Sequence, residues 1–164
     1  MQSPVTVTAA TPSAALVGAL EGTATKPDAS ATLEQCITAG TATERAATFA
    51  GEMNAIAGTA RMEIRIDVLE RLPGELSYRA VSAPGLGVWT SSSPGVKIYK
   101  SLNKVTNLAA PAFYRGAVRF RWLNAKGRVL KMLELRTRRC EQPTSEAPET
   151  ETSPPSTGQA SPSS

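Results

Sequence analysis

Apolar and polar residues alternate with a period of two through the middle of this chain, and no stretch shows the period of an amphipathic helix. Met62, Ile64, Ile66 and Val68 alternate with Arg61, Glu63, Arg65 and Asp67. That pattern predicts a strand with one buried and one wet face. Ala47, Phe49, Gly51 and Met53 alternate in the same way with Thr48, Ala50, Glu52 and Asn54. Leu76, Tyr78 and Ala80 suggest another strand, Val88-Trp89 a short edge segment, and Val96, Ile98, Leu102, Val105 and Leu108 a further apolar set. Tyr114, Val118, Phe120 and Trp122 form an inward face, with Arg115, Arg119 and Arg121 outward. Val129 to Thr137 reads as the final strand, and its change of phase between Met132 and Leu133 predicts a β-bulge there. Turn residues separate these runs at Leu72-Pro73-Gly74-Glu75, Pro84-Gly85-Leu86-Gly87, Ser93-Pro94-Gly95 and Asn124-Ala125-Lys126-Gly127. The expectation is an all-β chain: a single antiparallel β-sandwich of seven strands.

Almost all the large apolar residues lie between Cys36 and Cys140. This predicts one domain over residues 36–140, preceded by a disordered lead-in or signal remnant over 1–35. The run from Ala14 to Leu20 is too short to span a bilayer, so no membrane insertion is expected. No Lys or Arg precedes it, so it makes no intact signal peptide. Residues 141–164 are expected to be a disordered tail, because fifteen of the last 22 residues are Ser, Thr or Pro.

The two cysteines bracket the apolar region, which suits a bridge between the first strand and the end of the last. Such a bridge would stabilise the fold by about 4–5 kcal/mol in the chain-entropy account, and it implies an oxidising compartment, hence a secreted or surface-displayed protein. Charge is also concentrated. Seventeen Lys and Arg lie between the cysteines, against seven Asp and Glu. A domain with that excess can attract a polyanion.

Leu108, Pro111 and Tyr114 have the spacing of the tyrosine corner of fibronectin type III domains, where a Leu ends one strand, a Pro opens a tight connection and a Tyr begins the next. Asn124 to Val129 resembles the turn into the last strand of that family. The resemblance implies a sandwich in which the Tyr hydroxyl bonds back to the upstream backbone. It also implies a non-catalytic spacer or adhesion surface with an unidentified protein or glycan partner. The chain departs from the family in its missing second-strand Trp, whose slot Phe49 takes, and in its bridge.

The sequence contains no His, which removes Ser-His-Asp and Cys-His catalysis and the commonest metal ligand. No glycine-rich nucleotide loop occurs, so neither a metal, a cofactor nor a small-molecule substrate is expected. Glu63 and Asp67 are the one carboxylate pair that could suggest a glycan-active enzyme, but arginines interleave with them on one face. The alternative to a spacer is a polyanion-binding face made of Arg61, Arg65, Arg115, Arg119 and Arg121, suited to an acidic glycan or wall polymer. Nucleic acid fits less well, since few aromatics point outward for stacking. Trp122 is expected in the core and Trp89 over the open side of the sandwich. The loop from Ser82 to Gly95 is the expected variable binding loop.

Overall fold

The computed structural model describes residues 25–144. They form eight strands and one short 3-10 turn, Ala42–Glu44. The strands are β1 (Ala29–Ile37), β2 (Ala46–Asn54), β3 (Arg61–Arg71), β4 (Arg79–Ala80), β5 (Trp89–Ser91), β6 (Ile98–Thr106), β7 (Ala112–Leu123) and β8 (Val129–Gln142). Two antiparallel sheets pack face to face. The smaller has the order β1-β2-β6; the larger runs β4-β3-β7-β8, with β5 also paired to β3.

The count is eight rather than seven because one edge strand is broken in two. β5 pairs with Glu63–Arg65 and β4 with Leu69–Glu70, both on the edge of β3 away from β7. Between them the loop still serves that edge: Gly87 N donates to Ile66 O at 2.9 Å and Val81 N to Val68 O at 2.8 Å. The backbone of β3 is therefore satisfied without a continuous partner.

The core is the seam between the sheets. Phe49 and Met53 of β2 meet Met62, Ile64, Ile66 and Val68 of β3 and Val118, Phe120 and Trp122 of β7, all buried. Each such side chain contributes roughly 1.5–3 kcal/mol of burial. Trp122 also satisfies its one polar group, donating from Nε1 to Asn54 O at 2.7 Å. Two glycines set the sheet spacing. A Cβ on Gly51 would lie 2.6 Å from Val118 Cγ1, and one on Gly116 would lie 3.1 Å from Phe49 Cδ1. Each sheet thus opens a notch for a large side chain of the other.

Several details differ from the sequence reading. The domain starts at Ala29 and ends at Gln142, so seven residues of the expected lead-in belong to β1. Their alternation is muted by small and polar residues, and a bulge between Leu33 and Gln35 interrupts it. The remaining tail expectations, over 1–24 and 145–164, fall outside the described residues. In β6 the phase from Ile98 to Asn103 is the reverse of the apolar pattern, whereas Val105 is buried as expected. Ile98 and Leu102 are exposed, at 54% and 52%, while Tyr99, Ser101 and Asn103 face inward opposite Met53, Gly51 and Phe49. Leu76 is fully exposed and lies outside any strand. The register shifts of β8 lie opposite Arg115/Ala117 and Trp122/Leu123, not at Met132/Leu133, whose pairing with Arg121 and Phe120 is continuous.

The Ser82–Gly95 loop does not stand free as a binding loop. Its Leu86 packs against the core, Asn103 Nδ2 donates to Gly85 O at 3.0 Å, and Thr90 Oγ1 pairs with Ser101 Oγ at 3.2 Å. These contacts seal the open side between β6 and the broken edge. The opposite side is closed by β1 against β8. There the Cys36–Cys140 disulfide joins two Cα atoms 5.5 Å apart. Gln142 Nε2 donates to Ile37 O at 3.0 Å beside it. At the far end of the same side, Lys131 Nζ reaches Asp28 Oδ2 at 2.6 Å.

Candidate interaction face

The turn from β6 into β7 is built around Tyr114. Leu108 and Tyr114 are buried, and the Ala110–Pro111 peptide is cis. The Tyr114 hydroxyl accepts from Ala109 N at 2.9 Å and donates to Glu70 Oε2 at 2.6 Å. Leu108 and Tyr114 thus lie buried on either side of the exposed Pro111 at this turn. Burial, and then the bond to Glu70, raise the Tyr114 pKa above the ordinary phenol value. Arg45, which the periodicity did not single out, braces the same corner. Its guanidinium donates to Ala39 O at 2.8 Å, Gly40 O at 2.9 Å and Leu108 O at 3.2 Å.

The outward face of β3, β7 and β8 carries the arginines. Pairing places Glu63 beside Arg121, Arg65 beside Arg119, and Arg119 beside Glu134. Three of the five arginines expected to hold a polyanion are therefore engaged. Arg65 holds Asp67 with two bonds, Nε to Oδ2 at 3.0 Å and Nη2 to Oδ1 at 3.1 Å. Arg119 Nε bonds Glu134 Oε2 at 2.8 Å, and Arg136 shares that carboxylate at 3.1 Å. The Arg119 bond holds the Glu134 carboxyl below its usual range, and Glu134 in turn raises Arg119. Arg121 is paired with Glu63, which also accepts from Ser91 Oγ at 2.9 Å. Arg61 stands apart at the opposite end of β3, exposed, beside an open depression of about 340 Å³ lined also by Pro94, Leu123 and Asn124.

The same contacts bear on the carboxylate pair. Glu63 and Asp67 are each engaged by a different arginine. Nor does Trp89 cover the open side. It pairs opposite Arg65 and lies on the outward face, with the Arg121 guanidinium carbon 4.1 Å from its ring centroid.

At the Cys140 end of this face a second group forms. Arg71 lies 5.3 Å from the Tyr78 ring and 4.9 Å from the Phe113 ring. Arg115 lies 5.6 Å from Tyr78, and Arg139 lies 4.9 Å from Phe113. Three guanidiniums thus alternate with two rings, and none of the three makes an ion pair among the described residues. Of the five, only Arg115 was singled out by periodicity. Tyr78 reads as inward from its alternation, and Arg71 and Arg139 sit at strand ends where alternation fades. The legible signal is the excess of arginine over acid in the last two strands, where Arg115, Arg119, Arg121, Arg136, Arg138 and Arg139 stand against Glu134 and Glu141. Compared with protein-family models, with curated proteins and with solved structures, the chain matches none.

Proposed function

We propose that this chain is a non-catalytic, exported module of the fibronectin type III kind, acting as an in-line spacer or adhesion domain. One observation carries the reading: β1 and β8 run side by side in the same direction. Asp28, just before β1, meets Lys131 near the start of β8, whereas Cys36 near the end of β1 meets Cys140 near the end of β8. The chain therefore enters at one pole of the sandwich and leaves at the other, as a module that lengthens a chain must. The strand order and the Tyr114 hydroxyl bonded to upstream backbone support the family likeness. The disulfide supports an oxidising compartment.

The test is surface labelling of intact source cells with a membrane-impermeant amine reagent, followed by peptide mapping without reductant. Labelled protein with the Cys36 and Cys140 peptides linked is the expected result. Two free thiols in a protein shielded from the reagent would refute export. A second reading, binding of a polyanion, draws support from the arginines that lack a carboxylate partner on the outward face.

A further inference from the structure

We infer that Arg71, Arg115 and Arg139, held by Tyr78 and Phe113, form a binding site for the oxyanion groups of an acidic polysaccharide. The inference gives the adhesion reading above its ligand class and rests on that reading.

Three observations converge. The first is the ladder itself. Arg115, Tyr78, Arg71, Phe113 and Arg139 stack in alternation, each ring touching two guanidiniums. Stacking fixes flexible side chains before any ligand arrives, which lowers the ordering cost of binding. The second is the missing counter-charge. On the same sheet face Arg65, Arg119, Arg121 and Arg136 each have a carboxylate, whereas these three have none among the described residues. Glu141, in register with Phe113, is exposed and makes no ion pair there. The third is burial without satisfaction. Nε of Arg71 and Nε of Arg115 are both withdrawn from solvent and have no hydrogen-bond partner. These guanidiniums have already lost part of their hydration, so an oxyanion meeting their remaining N–H groups gains a charge-assisted bond at reduced desolvation cost.

The ladder also selects among polyanions. Single-stranded nucleic acid binds through bases stacked on free ring faces, and here both rings are already engaged by guanidiniums. A lipid surface needs several apolar side chains to insert, and the adjoining loop offers one, Leu76. A sulfated or uronic-acid glycan needs only the guanidinium edges, which carboxylate and sulfate oxygens match in pairs.

The experiment uses the full oxidised chain. Binding to a sulfated glycan (heparin) and to a carboxylated one (polygalacturonate) is measured by calorimetry at low and moderate salt, which separates the two oxyanion types. Arg115→Gln/Arg139→Gln should weaken binding by about tenfold for each arginine removed. Arg61→Gln/Arg128→Gln, an equal charge change outside the ladder, should change it less than about threefold. Equal losses in the two pairs would mean diffuse charge attraction and overturn the site. So would wild-type binding to single-stranded DNA or anionic vesicles in preference to both glycans, or no glycan binding at all. If the Gln pair unfolds, Arg115→Lys/Arg139→Lys keeps the charge, and unchanged affinity there overturns the role of the guanidinium forks. Loss confined to Arg65→Gln/Arg119→Gln would move the site to the ion-paired row. Failure of the surface-labelling test with a cluster-dependent affinity would instead refute export and leave this site standing.

Discussion

The Cys36–Cys140 bridge closes a loop of sequence separation 104. In the chain-entropy account a closure of that length removes about 4.7 kcal/mol of freedom from the unfolded chain. Domains of this size are held by roughly 5–15 kcal/mol in all, so the bridge is worth a large part of the total. The direct perturbation is Cys36→Ser/Cys140→Ser. Its local cost is small, since Cys36 is exposed and the Cys140 sulfur already sits 3.3 Å from Gln142 Nε2, where a Ser hydroxyl can accept. What remains on that seam is the Gln142–Ile37 bond and the Lys131–Asp28 pair. The pair is 42% exposed on both sides, so it offsets no more than about 1 kcal/mol. The double variant should therefore lose roughly 4 kcal/mol in urea unfolding, with Tm lower by about 15–20 °C. A loss below about 1 kcal/mol would refute the reasoning, because it would mean that the unfolded chain is already constrained without the bridge.

Four other outcomes follow from particular contacts. Tyr114→Phe leaves Ala109 N and Glu70 without their shared partner and should cost about 1–3 kcal/mol in the same assay. The raised pKa of Tyr114 means that the folded state holds its proton more tightly, so its contribution is complete below about pH 10 and declines as pH rises beyond it; Tm should fall more steeply there in the wild type than in Tyr114→Phe. Gly51→Ala places a methyl 2.6 Å from Val118 Cγ1 and should cost about 1–3 kcal/mol by thermal unfolding, whereas Gly40→Ala, with open space around it, should be near neutral. Glu63→Gln weakens the hold on Arg121 and should lower stability by about 1–2 kcal/mol, with Trp89 fluorescence reporting the loosened guanidinium above its ring.

Much of the architecture could be read from the chain because β2, β3 and β7 each carry large apolar residues on one buried face and smaller or polar, mostly half-buried ones on the other. The phases of Phe49, Ile64 and Trp122 were legible for that reason. β6 was not, because its inward side carries Ser101 and Asn103. These serve the sealing loop through Thr90 and Gly85 rather than an apolar core, so hydropathy pointed to the wrong face. The broken edge was hidden for a related reason. Gly87 and Val81 supply single backbone bonds to β3, and such bonds impose no side-chain period. The arginine row was visible as residues but not as chemistry. That Arg65, Arg119 and Arg121 are paired while Arg71, Arg115 and Arg139 are stacked depends on cross-strand register and on where the Tyr78 loop lies.

The position of the bridge has a mechanical meaning. A pull applied to the chain on either side of the domain travels along β1 from Ala29 to Cys36, crosses the sulfurs, and leaves through Cys140 to Gln142. Everything from Ile37 to Arg139 hangs off that path as a covalent loop that tension cannot unravel. Among the described strands, the slack lies in β1 ahead of Cys36 and in the end of β8 after Cys140, both already extended at about 3.3 Å per residue, so they gain almost nothing when peeled away. With the sulfurs joined, the domain is a link of nearly fixed length. With them reduced, the same polypeptide can pay out its whole 104-residue span under load.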